Sequence, residues 1–335
     1  MIHTIDSHTE GNPTRVIVGG VAVPPGRTVL ERREWLQRND DGLRKLLNFE
    51  PRGGALMCSV LLMPPTSEGA DFSVIIIEPD EYVPMCGHCI IGAATTVVAT
   101  GMVRPVEPDT VVVFETPAGL VTCHVSVQGG AVQSVHLTNV ESFLLYRDTG
   151  IDVDGMGRVP VDIAFGGDFY TIVDADTLGL ELNPDNEVAM VNTARRIVLA
   201  VNAQLKIVHP SRRDINRCYE TLFTSQDVRK GHFRQAIVSP PGALDRSPCG
   251  TGTCARLASE FARGRLGLND PRLFEGVLGT CFVGEVLAAE ERGGMTYVTP
   301  RIGGRAYITG FHQFVVDSDD PLAEGYRIGC VTWRD

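Results

Sequence analysis

Two cysteines occupy positions where a thiol readily gives up its proton. One lies in Pro84-Met85-Cys86-Gly87-His88, the other in Asp245-Arg246-Ser247-Pro248-Cys249-Gly250-Thr251-Gly252-Thr253. Each stands at the mouth of an apolar stretch that reads as a helix. A helix start concentrates unsatisfied backbone N–H groups and the positive end of the macrodipole. A cysteine placed there falls from about 8.5 toward about 3.5–7.5, so it can hold or give a proton near neutral pH. The same amides bind a carboxylate. Two such cysteines facing each other would set an acid and a base on opposite sides of one small acid, the arrangement that inversion of a stereocentre requires.

The elements that must position these residues come in two similar sets. Thr14 to Val18 is a β-branched run ending at Gly19-Gly20, a strand and turn signal. Thr28 to Glu31 matches a capping box and opens a helix through Leu36; a further turn, Leu43 to Leu47, stops before Pro51. Strands follow at Leu56 to Met63 and Phe72 to Ile77. Ile90 to Thr100 is apolar nearly all round, with Gly92, Ala93 and Ala94, and predicts a buried central helix ending at Gly101. Val111–Phe114, Leu120–Val127 and Val132–Leu137 read as a meander.

The second half repeats the plan. Strands are predicted at Asp162–Phe165 and Tyr170–Val173, a helix at about Asn186–Gln204, and a strand at Phe233–Val238 leading through Pro240-Pro241-Gly242 to the second motif. Thr253–Gly264 is the matching helix, with strands near Phe282–Leu287, Met295–Thr299 and Ala306–Ile308. Superposing Cys86 on Cys249 aligns Gly87 with Gly250, Ala99 with Ala262 and Gly101 with Gly264. Mostly β elements around one buried helix per half suggest two pseudo-symmetric α+β domains with the active site in the cleft between them.

The chain has 335 residues, 43% hydrophobic and 21% charged, as in globular proteins with room for two cores. Its net charge of -11 argues against nucleic acid or an anionic membrane surface as partner. The N-terminus lacks the basic start and apolar stretch of a signal peptide, and no apolar run approaches the ~20 residues that span a bilayer. A cytoplasmic protein is expected. Nine cysteines without regular spacing do not make a disulfide framework. Cys58, Cys123, Cys281 and Cys330 sit among apolar residues and glycine and are expected to be structural, since nothing beside them in the sequence lowers a thiol pKa.

At the two cysteine motifs the chain resembles the proline racemase family, which includes proline racemase, 4-hydroxyproline 2-epimerase and trans-3-hydroxy-L-proline dehydratase. The resemblance extends to Asp6-Ser7-His8-Thr9-Glu10-Gly11-Asn12-Pro13-Thr14-Arg15 and, more weakly, to Glu50-Pro51-Arg52-Gly53 and Gly166-Gly167-Asp168-Phe169-Tyr170. It implies a diaminopimelate-epimerase-like α+β fold, two pseudo-symmetric domains each with a β-sheet curled around a central helix. It implies a first domain of 1–135 plus about 311–335 and a second of about 136–310. It further implies a cofactor-free homodimer acting on a small cyclic imino acid. Carried over, Cys86 and Cys249 become the proton-transfer groups, the amides of Gly87, His88, Gly250 and Thr251 the carboxylate cradle, and Asp245 the partner of the ring ammonium. Cys89 and Asn12 depart from the family, where a polar residue and Glu are frequent. Dehydratases of the family look to carry Thr at the second cysteine, so retention of Cys249 points to inversion. Proline racemases look to place a bulky aromatic ten residues before the second cysteine, where this chain has Ser239. A small hydroxyl there suits a ring hydroxyl, which favours 4-hydroxyproline as substrate.

The chemistry fits these residue types. Without a cofactor, the carbanion formed at Cα must be stabilised through the carboxylate. Preorganised N–H donors are each worth about 2.7–4 kcal/mol at comparable sites. Inversion also needs a base on one face and an acid on the other, which a thiolate and a thiol supply. A pyridoxal-phosphate route is disfavoured, because Lys45, Lys206 and Lys230 sit in no recognisable phosphate-binding context.

Competing readings of the other residues are weaker. A zinc site built from Cys86-Gly87-His88-Cys89 with Cys249 and Cys254 fits no common spacing, so no metal is expected. A redox pair Cys86–Cys249 is disfavoured, on the expectation that the chain has no C-x-x-C unit. Cys89 and Cys254 are expected to pack in the core, His8 to be structural and His232 to be solvated. Asp245 has an alternative as a turn cap, and Ser239 as a turn residue. A carboxylate-binding protein on the same fold is the non-enzymatic alternative, although it would not need two thiols.

Overall fold

The computed structural model describes residues 1–213, 215–225, 232–240 and 242–328. The expectations for Lys230, Pro241 and Cys330 fall outside the described residues. The chain divides into two compact units, one of residues 1–138 with a return from 303 onward and one of residues 139–302. The return begins at Gly303, ahead of the start near Phe311 expected from sequence.

The first unit runs β1 (Ile2–Thr9), β2 (Asn12–Gly19), α1 (Val29–Asn39), α2 (Gly42–Asn48), β3 (Cys58–Met63), β4 (Phe72–Ile77), β5 (Tyr82–Val83), α3 (Gly87–Ala99), β6 (Asp109–Thr116), β7 (Gly119–Gln128) and β8 (Ala131–Thr138). The second continues with β9 (Ser142–Val153), β10 (Gly157–Phe165), β11 (Phe169–Asp174), α4 (Glu187–Gln204), β12 (Glu220–Ser225), β13 (His232–Ser239) and β14 (Ala243–Leu244). After α5 (Gly250–Ala262) come β15 (Arg272–Glu275), β16 (Cys281–Arg292) and β17 (Met295–Gly304); β18 (Ala306–Phe314) belongs to the first unit.

The strands of the first unit pair in the order β18-β1-β2-β3-β4-β6-β7-β8. From β1 to β7 successive pairs are antiparallel, parallel, antiparallel, parallel, antiparallel. In the second unit the order is β17-β9-β10-β11-β12-β13-β15-β16, and β10 to β16 repeat the same alternation. Each parallel step requires a crossover. The crossovers carry α1 and α2 in the first unit and α4 in the second, and then the central helix of each. A two-strand hairpin, β4–β5 or β13–β14, precedes each central helix. This is the diaminopimelate-epimerase-like α+β fold, each of its two domains built on the same strand alternation.

Each sheet curls around its central helix. α3 touches strands from β1 to β18 across the first sheet, and every residue from Gly87 to Val98 is buried. That is why the segment is apolar all round: a helix with a partner on every side has no polar face. The absence of a side chain at Gly92 lets β2 approach, since a Cβ there would lie 3.0 Å from the Thr14 side chain. On the outer faces, Val29, Leu36, Leu43 and Leu47 of α1 and α2 cover Ile17, Leu61, Ile75 and Ile77. Met190, Ala194, Ile197 and Val201 of α4 cover Phe143, Phe169 and Phe223 in the second unit. Among the described residues, no helix is long and apolar enough to cross a membrane.

Candidate active site

Cys86 is the N-cap of α3, half-buried, with extended backbone at φ -146° and ψ 120°. Its Sγ lies 3.1 Å from His88 Nδ1, while Cys89 Sγ and Asn12 Nδ2 each lie 3.4 Å from Nε2 of the same ring. Thr9 Oγ1 donates to the His88 carbonyl at 2.9 Å. The hairpin between β1 and β2 therefore steadies His88, and the rest of the N-terminal motif steadies the hairpin. Arg15 clasps Asp6 across the strands at 2.8 Å, with both side chains buried, and its Nη1 donates to the carbonyls of Leu47 and Arg52. His8 accepts from the Gly11 amide and stacks on Tyr307, a structural role.

The neighbouring Cys89 thiol and, against the effect of burial, the charge of His88 hold Cys86 well below the ordinary thiol range. Burial disfavours a charged His88, but the Cys86 and Cys58 thiolates outweigh it and push His88 well up. The pair is thus biased toward a Cys86 thiolate beside a His88 imidazolium. Cys58 corrects the expectation of an inert thiol. β3 brings it against Cys89 and His88, which lower it to about 7. Glu78 is pushed well above the carboxylate range by burial and by the same two thiolates. Cys58, His88 and Cys89 bring atoms of metal-ligating type within 4.8 Å of one another, a grouping invisible in chain spacing. They satisfy one another by hydrogen bonding, and no metal is assigned to them.

Cys249 is the N-cap of α5, buried, and held in the left-handed region at φ 64°. Its amide donates to Ser247 Oγ at 3.0 Å, and its Sγ accepts from the Gly252 amide at 3.3 Å. Tyr170 Oη lies 3.4 Å from the sulfur and 2.7 Å from Thr251 Oγ1. Gln235 Nε2 ties the preceding loop down at the Pro248 carbonyl, 2.6 Å away. Burial and then the carboxylates of Asp245 and Glu220 push Cys249 well above the ordinary thiol range, which favours its protonated form. The glycines before Tyr170 have a steric reason: a Cβ on Gly166 would lie 2.1 Å from the Thr251 carbonyl oxygen.

Gly87 and His88 are the first two residues of α3, and Gly250 and Thr251 the first two of α5. Amides at these positions have no partner within their own helix. Asp245 Oδ1 accepts from the amide and hydroxyl of Ser247, so it does cap the turn before Cys249. Ser239, the last residue of β13, donates its hydroxyl to Glu220 Oε2 at the start of β12. Glu220 was missed from sequence, because a single acidic residue opening a short strand carries no signal. His232 is half-buried and hydrogen-bonded to Glu275 at 3.2 Å, a correction to the solvated reading. Cys254 is buried, as expected, and touched by Asn139 Nδ2.

Comparison with known proteins is concordant along the whole chain. The protein is similar to a 4-hydroxyproline 2-epimerase of Streptosporangium roseum, at 44% identity over 98% of both chains. It is 38% identical to a proline racemase of Clostridioides difficile, over 97% of both. A crystal structure of a hydroxyproline epimerase from Agrobacterium vitis with bound trans-4-hydroxy-L-proline superposes with a TM-score of 0.90. That pair is 35% identical, covering 99% of this chain and 97% of the other. The proline racemase family model matches residues 4–327. On the family match across nearly the whole chain and the similarity of its relatives, the chain belongs to the proline racemase family.

Proposed function

We propose that this protein is a cofactor-independent 4-hydroxyproline 2-epimerase that interconverts trans-4-hydroxy-L-proline and cis-4-hydroxy-D-proline. The observation that carries the reading is a cysteine at the N-cap of each of two matching central helices, Cys86 on α3 and Cys249 on α5, with the surroundings lowering the first thiol and raising the second. The Cys86 thiolate takes the Cα proton from one face, and the Cys249 thiol delivers a proton to the other. Charge passing into the carboxylate meets the amides of Gly87, His88, Gly250 and Thr251, donors that cost no reorganisation during the reaction. Asp245 partners the ring ammonium, which keeps Cα acidic. The reverse reaction exchanges the roles of the two sulfurs, and their macroscopic pKa values belong to the pair.

The Ser239–Glu220 pair supports the hydroxylated substrate. Ser239 offers an oxygen already polarised by a carboxylate, and a site built for a ring hydroxyl leaves a polar group unpaired when the hydroxyl is missing. The similarity to the Streptosporangium epimerase points the same way. Proline racemase is the second reading, favoured by the Clostridioides relative. The dehydratase reading is weaker because Cys249 retains a proton carrier on both faces. A cytoplasmic homodimer completes the proposal.

Incubating trans-4-hydroxy-L-proline with the protein in D₂O is expected to give the cis-D epimer carrying solvent deuterium at Cα. A carboxylate-binding protein would bind and leave Cα untouched, which would overturn the proposal. Side-by-side kcat/KM values decide the substrate: equal or better turnover of L-proline makes the protein a proline racemase.

A further inference from the structure

The residues Cys86-Gly87-His88-Cys89 form a C-x-x-C unit at the start of α3. It corrects the expectation that the chain has no such unit: a cysteine stands three residues after Cys86. In dithiols of this kind the first thiol is reachable and ionised, while the second is buried beside it as a thiol. Cys86 is half-buried and Cys89 is buried. Both sulfurs contact one imidazole, Cys86 on Nδ1 at 3.1 Å and Cys89 on Nε2 at 3.4 Å. Cys86 is drawn down by its neighbours, while burial and the nearby cysteines hold Cys89 well up.

We propose that Cys86 and Cys89 form a reversible intramolecular disulfide by exchange with small-molecule disulfides, a second chemistry of this chain. The Cys86 thiolate attacks one sulfur of a disulfide such as oxidised glutathione. The S–S bond breaks, and one glutathione leaves as a thiolate that picks up a proton. Cys89 gives its proton to water and attacks the Cys86 sulfur of the mixed disulfide. The second glutathione leaves, and the Cys86–Cys89 bond is made. Two protein thiols are oxidised by two electrons, and one glutathione disulfide is reduced to two thiols. If Cys86 is the proton carrier proposed above, the disulfide also switches the epimerase off; this consequence alone rests on that reading.

The test equilibrates the full chain in glutathione buffers of rising disulfide-to-thiol ratio, quenches in acid, alkylates and weighs the peptides. The expected product is an internal disulfide in the peptide spanning residues 86–89, two hydrogens lighter. It should grow as epimerisation falls by tenfold or more, and excess reduced glutathione should reverse both. Cys89→Ser should stop at a glutathione adduct on Cys86, and Cys58→Ala should still form the 86–89 bond. A wild-type chain that stops at the adduct, bridges Cys86 to Cys249 or Cys89 to Cys58, or resists oxidation overturns the proposal. A reduced protein without epimerase activity that still closes the 86–89 bond leaves the dithiol standing and removes the function proposed above.

Discussion

At the scale of single residues, the two helix caps share a position and differ in everything around it. Cys86 has a histidine and two thiols for neighbours, whereas Cys249 has a tyrosine and two carboxylates. The pH dependence follows from the signs. In the proposed reaction Cys86 acts deprotonated and is shifted down, so kcat/KM should fall only as pH drops through that lowered value. In the same reaction Cys249 acts protonated and is shifted up, so activity should persist on the alkaline side until it ionises above the ordinary thiol range. A broad plateau between two widely separated limbs is expected in the pH profile. His88→Asn removes the stabilising charge and should move the acid limb toward higher pH. A wild-type acid limb already at the ordinary thiol value would contradict this assignment. Serine is too weak an acid to replace either thiol, so Cys86→Ser and Cys249→Ser should each slow inversion by about 10²–10⁴, with circular dichroism unchanged.

At the scale of elements, each cysteine depends on a strand that carries no chemistry. The β10–β11 turn passes so close to the first turn of α5 that residue 166 has no room for a side chain. Gly166→Ala should therefore push the first turn of α5 aside and lower kcat by tenfold or more while the protein remains folded. Wild-type kinetics in that variant would show that the turn does not set the helix start. The elements themselves were largely legible. The buried helices, the β6–β8 meander and the α4 amphipathic stripe follow from periodicity and turn residues. Thr28 caps α1 as read, although Glu31 reaches the Arg27 amide rather than that of Thr28. Six of the described strands were not legible, the short β5, β14 and β15 together with β1, β9 and β12. In β1 the buried positions include Thr4, Asp6 and Ser7, so its inner face is polar. In β9 a bulge at Arg147-Asp148-Thr149, with Asp148 at φ 45°, reads as a turn. β12 is short, and its pairing with β11 is parallel and long-range. Cys58 was misjudged for a related reason: its thiol is altered by residues about thirty positions away, which a local window cannot show.

At the scale of the whole molecule, the same strand alternation around a helix occurs twice, so one architectural solution supplies two amide-rich helix starts. The halves have diverged at the residue that begins each helix. Cys86 lies in ordinary extended backbone, but Cys249 is left-handed, a conformation that costs a residue bearing a Cβ about 1–3 kcal/mol. Glycine adopts it without that cost. Cys249→Gly should therefore unfold at a higher temperature than Cys249→Ala, by the equivalent of about 1 kcal/mol or more, and equal melting points would refute it. Thermostability selection acting on this chain without a demand for turnover would discard the thiol first. In the proposed reaction, a cysteine at that dihedral angle is a loss of stability that the fold bears for the sake of the chemistry.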